Sequence, residues 1–217
     1  MLPIHAPARR CFLTPIPQRS TAADLLASAA DRLLEGDAPN ARQLVAEADM
    51  PVIGAYTALV TGAVNPLVHW QSAMPAGAVG LERSAQRMPS SSVERAIYVR
   101  DGWRCRYCGT RVIDRSMRAR LHRCLPDVAR WGARNADKHT ALAALSASLD
   151  HIVPHSRGGT NDEPNLVTAC NACQFGRGQW TLDEVGFWDP REYPPVLDEW
   201  DGLTRLGRLA DAFNIPQ

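Results

Sequence analysis

Four of the six cysteines fall in two pairs, Cys105-x-x-Cys108 and Cys170-x-x-Cys173. A C-x-x-C pair on a tight turn aims both sulphurs at one point, and two such pairs supply a closed tetrahedral site for Zn2+. A closed site leaves no position for substrate, so its role is structural. Zinc binding worth about 10–16 kcal/mol in small peptides is enough to decide whether a domain folds. Two other chemistries compete for this spacing. A single C-x-x-C can be a redox pair, but that needs a βαβ surround, which the sequence lacks. Disulfides belong to oxidising compartments. Cys11 and Cys124 have no partner at ligand spacing and read as ordinary thiols. Between the two pairs stands Asp150-His151, a carboxylate beside an imidazole. Taken alone it is a common surface dipeptide, and its weight comes from its neighbours.

The elements around it read in order. Leu149-Asp150-His151-Ile152-Val153-Pro154 is a short apolar strand interrupted by Asp-His. A polar, glycine-bearing loop follows, from His155 to Asp162. Asn165 to Cys170 reads as a second strand leading into the second cysteine pair, and the residues after Cys173 start a helix. The result is strand, loop, strand, helix, with a cysteine turn at the last corner.

D-H-I-V-P, then G-G, then N-L-V, then C-x-x-C, in this order and spacing, resembles the HNH endonuclease family and its ββα-metal fold. The resemblance covers 95–113 and 149–186. It implies that Asp150 is a carboxylate ligand of a catalytic divalent metal and that His151 is the general base that takes a proton from the attacking water. An imidazole suits that task because it is neutral often enough at neutral pH. It further implies that Asn165 braces the loop and orients the histidine. The metal would be a hard cation, Mg2+ or Mn2+, which neutralises phosphate charge and stabilises the leaving 3′ oxygen. Arg177 is similar to a basic residue that the family places near the phosphate, and His155 is a further candidate for phosphate or metal contact.

Two features depart from the family. The residue after the last cysteine is usually Asn or His and is the second protein ligand; here it is Gln174. Its amide oxygen is a suitable donor, but the extra methylene moves it, and misplacement of about 1 Å can cost about a hundredfold in rate. The second departure is an insert at 114–148, rich in Arg and Ala and mostly helical in pattern. It reads either as packing against the zinc core or as a nucleic-acid-contacting flap using Arg115, Arg118, Arg120 and Arg123. His122 and His139 within it read as structural.

The remaining chain carries no chemistry of its own. Four prolines in 1–20 suggest an extended lead-in. Helices are expected from Thr21, as N-cap, to Gly36, from Asn40 to Asp49, and from Pro51 to about Val60. Residues 62–92 look like a connector, with Ser92 capping a helix over Val93 to Arg100. After Phe187 a linker precedes an amphipathic helix from Val196 onward. The expected fold is therefore α+β and mainly helical: a zinc-stapled ββα-metal core at 91–187, a helical region at 1–90 that could receive a protein partner, and a linker and helix at 188–217.

Bulk properties narrow the function classes. Net charge is +1 and the hydrophobic fraction 45%, those of an ordinary globular chain rather than a disordered or membrane one. Charge is uneven: between Arg87 and Arg134 there are twelve arginines against four acids, a local patch of the kind phosphate surfaces use. The start lacks the apolar and small-residue pattern of a secretory signal, so a cytoplasmic protein is expected. The partner implied is DNA, with RNA left open, and no membrane. A nucleic-acid-binding module of the same fold with little or no cleavage is the alternative.

Overall fold

The computed structural model describes residues 10–61 and 87–209. Most of the connector expected over 62–92 lies outside the described residues. Three helices open the chain. Helix α1 spans Pro17–Leu34, four residues ahead of the expected start, because Pro17 fits the first turn where its missing N–H is harmless. Thr21 is therefore inside the helix, and its hydroxyl donates back to the Pro17 carbonyl. The buried stripe Ala22, Leu26, Ala29, Ala30 and Leu33 faces the core. Helix α2 (Ala38–Ala48) is capped by Asp37, which accepts from Asn40 N. Helix α3 (Pro51–Thr61) follows after two residues.

Helix α4 (Ser91–Arg100) is capped by Ser90, not Ser92: the Ser90 hydroxyl accepts from Val93 N. It ends at Asp101, a buried carboxylate that fixes it to the sheet. Strand β1 (Ala147–His151) pairs antiparallel with β2 (Leu166–Cys170), setting Asp150 opposite Val167 and His151 opposite Leu166. Thr168 turns both backbone groups away from β1. Its N–H donates to Asp101 Oδ2 at 2.7 Å, and its carbonyl accepts from Arg106 N at 2.9 Å. The outer edge of β2 is thus closed by the α4 end and the first cysteine turn, which removes an open pairing edge.

The insert at 114–148 is less helical than expected. Helix α5 (Arg115–Cys124) is capped by Asp114 and stops where Leu125 precedes Pro126, a position biased away from helix. A 3-10 turn at Asn135–Asp137 and the short α6 (Thr140–Ala144) follow before β1. Helix α7 (Asn171–Arg177) leaves β2 through the second cysteine pair, and α8 (Leu182–Val185) opens with a capping box at Thr181 and Glu184.

The C-terminal helix expected from Val196 does not form among the described residues; a 3-10 turn at Thr204–Arg208 stands in its place. Asp198 and Asp201 accept from nearby backbone N–H groups, at Trp200, Leu203 and Arg205, and so offer the chain local turns in place of helix. Gly202 and Leu203 both have left-handed φ, at 66° and 65°. The segment still packs: Trp200 Nε1 donates to Val112 O, and Leu203 and Leu206 are fully buried. One buried cluster runs from Ala22 through Ile53, Ile97, Leu121, Leu149 and Val167 to Leu206, so the first three helices and the C-terminal segment share a core with the sheet. No single helix among the described residues is long and apolar enough to cross a membrane.

Candidate active site and metal centre

The four paired cysteines converge. Cys105 and Cys108 sit on a turn closed by Gly109 N–H on the Cys105 carbonyl at 2.8 Å, with Gly109 at φ 74°, a conformation that favours glycine. Cys170 ends β2 and Cys173 lies in the first turn of α7. Their sulphurs all lie within 4.8 Å of one another, with Cys108 and Cys170 at 3.7 Å. Zinc–sulphur bonds of about 2.3 Å in a tetrahedron place sulphurs about 3.8 Å apart, so the spacing suits such an ion.

The electrostatics fit as well. Thiols this close cannot all ionise unaided. Hydrogen bonds from Cys105, Cys108 and Cys173 hold Cys170 well below the usual thiol range, while burial pushes Cys105 well above it. A dication removes that conflict. The four cysteines are therefore a site able to hold a metal.

Asp150 belongs to a different arrangement. It points from β1 toward α7, where Arg177 grips it with two bonds, Nη2 to Oδ1 at 2.7 Å and Nε to Oδ2 at 3.0 Å. Tyr107, from the middle of the first cysteine turn, donates its hydroxyl to the same Oδ2 at 2.9 Å. Burial and the Asp150 charge raise the Tyr107 phenol well above its usual range, so it stays a donor. The remaining N–H groups of Arg177 go to the carbonyls of His151, Ile152 and Trp180.

Arg177 lies in the interior rather than on the surface that its expected phosphate contact calls for. It is fully buried and faces Asp150 and three carbonyls, not a surface that a phosphate could reach. Its place on α7, three residues from Gln174, puts both on one helix face, over the side of β1 that carries Ser148 and Asp150.

Gln174 is also engaged. Its Oε1 accepts from the Ser148 hydroxyl and its Nε2 donates to Leu149 O at 3.0 Å. The catalytic divalent ion that the resemblance implies does not fit this arrangement. Both Asp150 oxygens are held by Arg177 and Tyr107, a cation already neutralises the carboxylate, and the Gln174 carbonyl is bound to Ser148. Asp150 and Gln174 are brought to one face of the fold, but not as a pair of open ligands.

His151, the last residue of β1, is better placed for chemistry. Its Nε2 lies 2.8 Å from Asn161 Oδ1. An amide oxygen only accepts, so Nε2 carries the hydrogen and Nδ1 the lone pair. Asn165 does not touch the ring. Its Oδ1 accepts from Val153 N and its Nδ2 donates to the carbonyls of Val153 and Thr160, so it braces the loop while Asn161 orients the histidine. The brace is tight: a Cβ on Gly159 would stand 1.7 Å from Val153 O. His155 sits in a 3-10 turn with its ring centroid 6.1 Å from that of His151, near enough to share a ligand face but not to bond the ring directly.

The arginine patch resolves into mostly internal partners. Arg115 donates to Ala147 O and Ser148, and Arg118 stacks on Trp131 with its cation 3.7 Å from the ring centroid. Arg120 donates to Leu209 O, Arg104 pairs with Asp198, and Arg130 with Asp49. His122 binds Ala129 O and His139 is buried on Val45 O, in keeping with structural roles. Tyr107, Ser148 and Asn161 had not been singled out in the sequence. Tyr107 had one signal, its position inside a C-x-x-C, and Asn161 another, a second Asn in the braced loop.

Residues 137–174 match the family model for HNH endonuclease. The match takes in β1, the loop, β2 and the second cysteine pair, and ends at Gln174; the first pair lies upstream of it. No curated protein and no solved structure matches the chain. The HNH segment ties the chain to nuclease or nucleic-acid-related function.

Proposed function

We propose that the protein is an HNH-type endonuclease that hydrolyses phosphodiester bonds in DNA, with His151 as general base and Zn2+ held by Cys105, Cys108, Cys170 and Cys173 as a structural ion. The observation that carries this reading is the His151 ring itself: Asn161 fixes the tautomer and leaves a lone pair on Nδ1 at the end of β1. An oriented imidazole of this kind can take the proton of a water as that water attacks phosphorus. The zinc would fix the two cysteine turns, and through Tyr107 and α7 the surroundings of Asp150. Mg2+ or Mn2+ would supply charge neutralisation to such a reaction, but the engaged Asp150 and Gln174 give no basis for routing a step through it. We place the nuclease unit at 91–187 and the protein in the cytoplasm, where clustered thiols serve metals. Val52 and Leu59 on α3 are exposed and offer a protein partner its best foothold on the first helices.

The test is nicking of supercoiled plasmid across divalent metals, wild type beside His151→Ala. Cleavage is expected in the wild type and a loss of at least about a hundredfold in the variant, with zinc content and far-UV circular dichroism unchanged. A wild type that leaves DNA intact under every condition defeats the enzyme reading. One observation favours the second reading, a nucleic-acid-binding module with little cleavage: the Asp150 carboxylate is closed by Arg177 and Tyr107. Tight, salt-sensitive gel shifts without product would support it.

A further inference from the structure

Arg19, on α1, is 86 residues away in sequence from the nearest cysteine of the metal centre, yet its side chain ends there. It is 1% exposed. Its Nη2 makes one marginal bond, to Ala144 O at 3.4 Å, and its cation lies 5.3 Å from the Tyr56 ring centroid. Nε and Nη1 make no well-formed hydrogen bond. No carboxylate pairs with it among the described residues. Its one acceptor, Ala144 O, lies three residues before Ala147, which pairs with Cys170 across the sheet, so the guanidinium is seated beside the cysteine cluster. The Cys170 and Cys108 sulphurs and the Tyr56 phenol are the groups that act on it electrostatically. A buried guanidinium with two unanswered nitrogens and no acid beside it is costly unless an anion stands nearby.

Four thiolates around one Zn2+ carry a net charge of −2, and burying that charge is costly for the same reason. We propose that Arg19 is a counter-charge built into the metal centre: its guanidinium offsets the excess thiolate charge, tightens zinc binding, and makes helix α1 a working part of the centre. The inference rests on the zinc reading and deepens it. Partners around a metal's ligands commonly change affinity by about 10–100-fold when removed, and here the partner comes from outside the HNH match. The N-terminal helices then have a defined task. They complete the electrostatics of the centre, so the HNH segment does not hold its ion at full strength without them.

The experiment uses the full chain. Zinc per chain is measured in the purified wild type, and release to a colorimetric chelator is then followed in wild type, Arg19→Met, Arg19→Lys and Leu26→Ala. Leu26 lies on the same helix and is fully buried but carries no charge. The expected result is zinc release about 10–100-fold faster in Arg19→Met, a smaller change in Arg19→Lys, and near-wild-type release in Leu26→Ala despite its lower melting temperature. Wild-type release in Arg19→Met overturns the inference, and so does equal acceleration in Leu26→Ala, which would mark a packing effect. Should Arg19→Met fail to fold, Arg19→Gln, which is neutral but able to bond Ala144 O, is read against the same outcomes. A wild type without zinc defeats the zinc reading; a zinc-loaded wild type with an indifferent Arg19 defeats only this inference.

Discussion

Arg177 directs every N–H of its guanidinium at Asp150 or at the backbone beside it, with Nη2 2.7 Å from Oδ1 and Nε 3.0 Å from Oδ2. The pair lies under the sheet, with side chains 1% and 8% exposed. Removing one member of such a pair strands a buried charge. Arg177→Met is expected to cost about 3–5 kcal/mol in urea unfolding. The double variant Asp150→Asn, Arg177→Met is expected to lose clearly less than the sum of the two single changes. Additive losses, or a single-variant cost under about 1 kcal/mol, would show that the pair is not a unit.

Asn161 sets the His151 tautomer, so Asn161→Ala frees the ring to rotate without removing the base. DNA cleavage is expected to fall by about 10–100-fold, the scale of a misplaced catalytic group, against a larger fall in His151→Ala. Plasmid nicking rates measure it. Asn161→Asp, which keeps an acceptor toward Nε2, should retain more activity than alanine.

Gly159 packs against Val153 O with no room for a side chain. Gly159→Ala is expected to push Val153 away and disrupt the Asn165 bonds that brace the loop. Thermal unfolding should shift down by several degrees, the effect of about 1 kcal/mol or more in a small domain. A variant with wild-type melting would show that the loop yields freely.

The parts legible in the sequence are those where one residue type at one spacing has few physical outcomes. Two C-x-x-C pairs signal one shared site wherever they meet, and here they meet because β2 ends at Cys170 and the first pair turns back onto it. The strand–loop–strand–helix order was legible too, although β1 runs over Ala147–His151, two to three residues ahead of the expected Leu149–Pro154. What stayed hidden was partner choice among arginines. Arg177 and Arg19 look like any other cation in the sequence; only the fold decides that one meets Asp150 and the other the thiols. The C-terminal helix failed because Asp198, Asp201 and Gly202 favour local turns over the apolar spacing of Leu203 and Leu206. The apolar spacing reported burial correctly, and only the backbone conformation was misassigned.

Ser148 holds the Gln174 carbonyl, and with it the side chain that follows the last cysteine. Ser148→Ala is expected to release that oxygen. If Gln174 serves a divalent ion, the Mg2+ concentration needed for half-maximal nicking should then fall in Ser148→Ala and rise in Gln174→Ala. Metal titrations that are identical in wild type and both variants would remove Gln174 from the reaction.

His139 gives the fold a pH dependence whose sign can be worked out. The ring is wholly buried; Nε2 lies 2.8 Å from Val45 O, and Nδ1 accepts the N–H of Leu142 at the start of α6. Burial, the largest influence, holds its pKa below the ordinary histidine value of 6.5, despite the Val45 carbonyl and the nearby Asp49, which act the other way. The unfolded chain therefore takes up a proton near pH 6.5 that the folded chain refuses. Stability from this site is complete above pH 6.5 and declines as pH falls from there toward the lower folded value. Protonation would also turn Nδ1 from an acceptor into a donor and break the α6 cap. His139→Asn keeps a capping acceptor but has no proton to gain. Urea unfolding of wild type and His139→Asn at pH 7.5 and 5.5 separates this site from the cysteines, which titrate in both. The advantage of wild type over variant is expected to shrink at pH 5.5, and an advantage that stays constant or grows would show that His139 is not the group responsible.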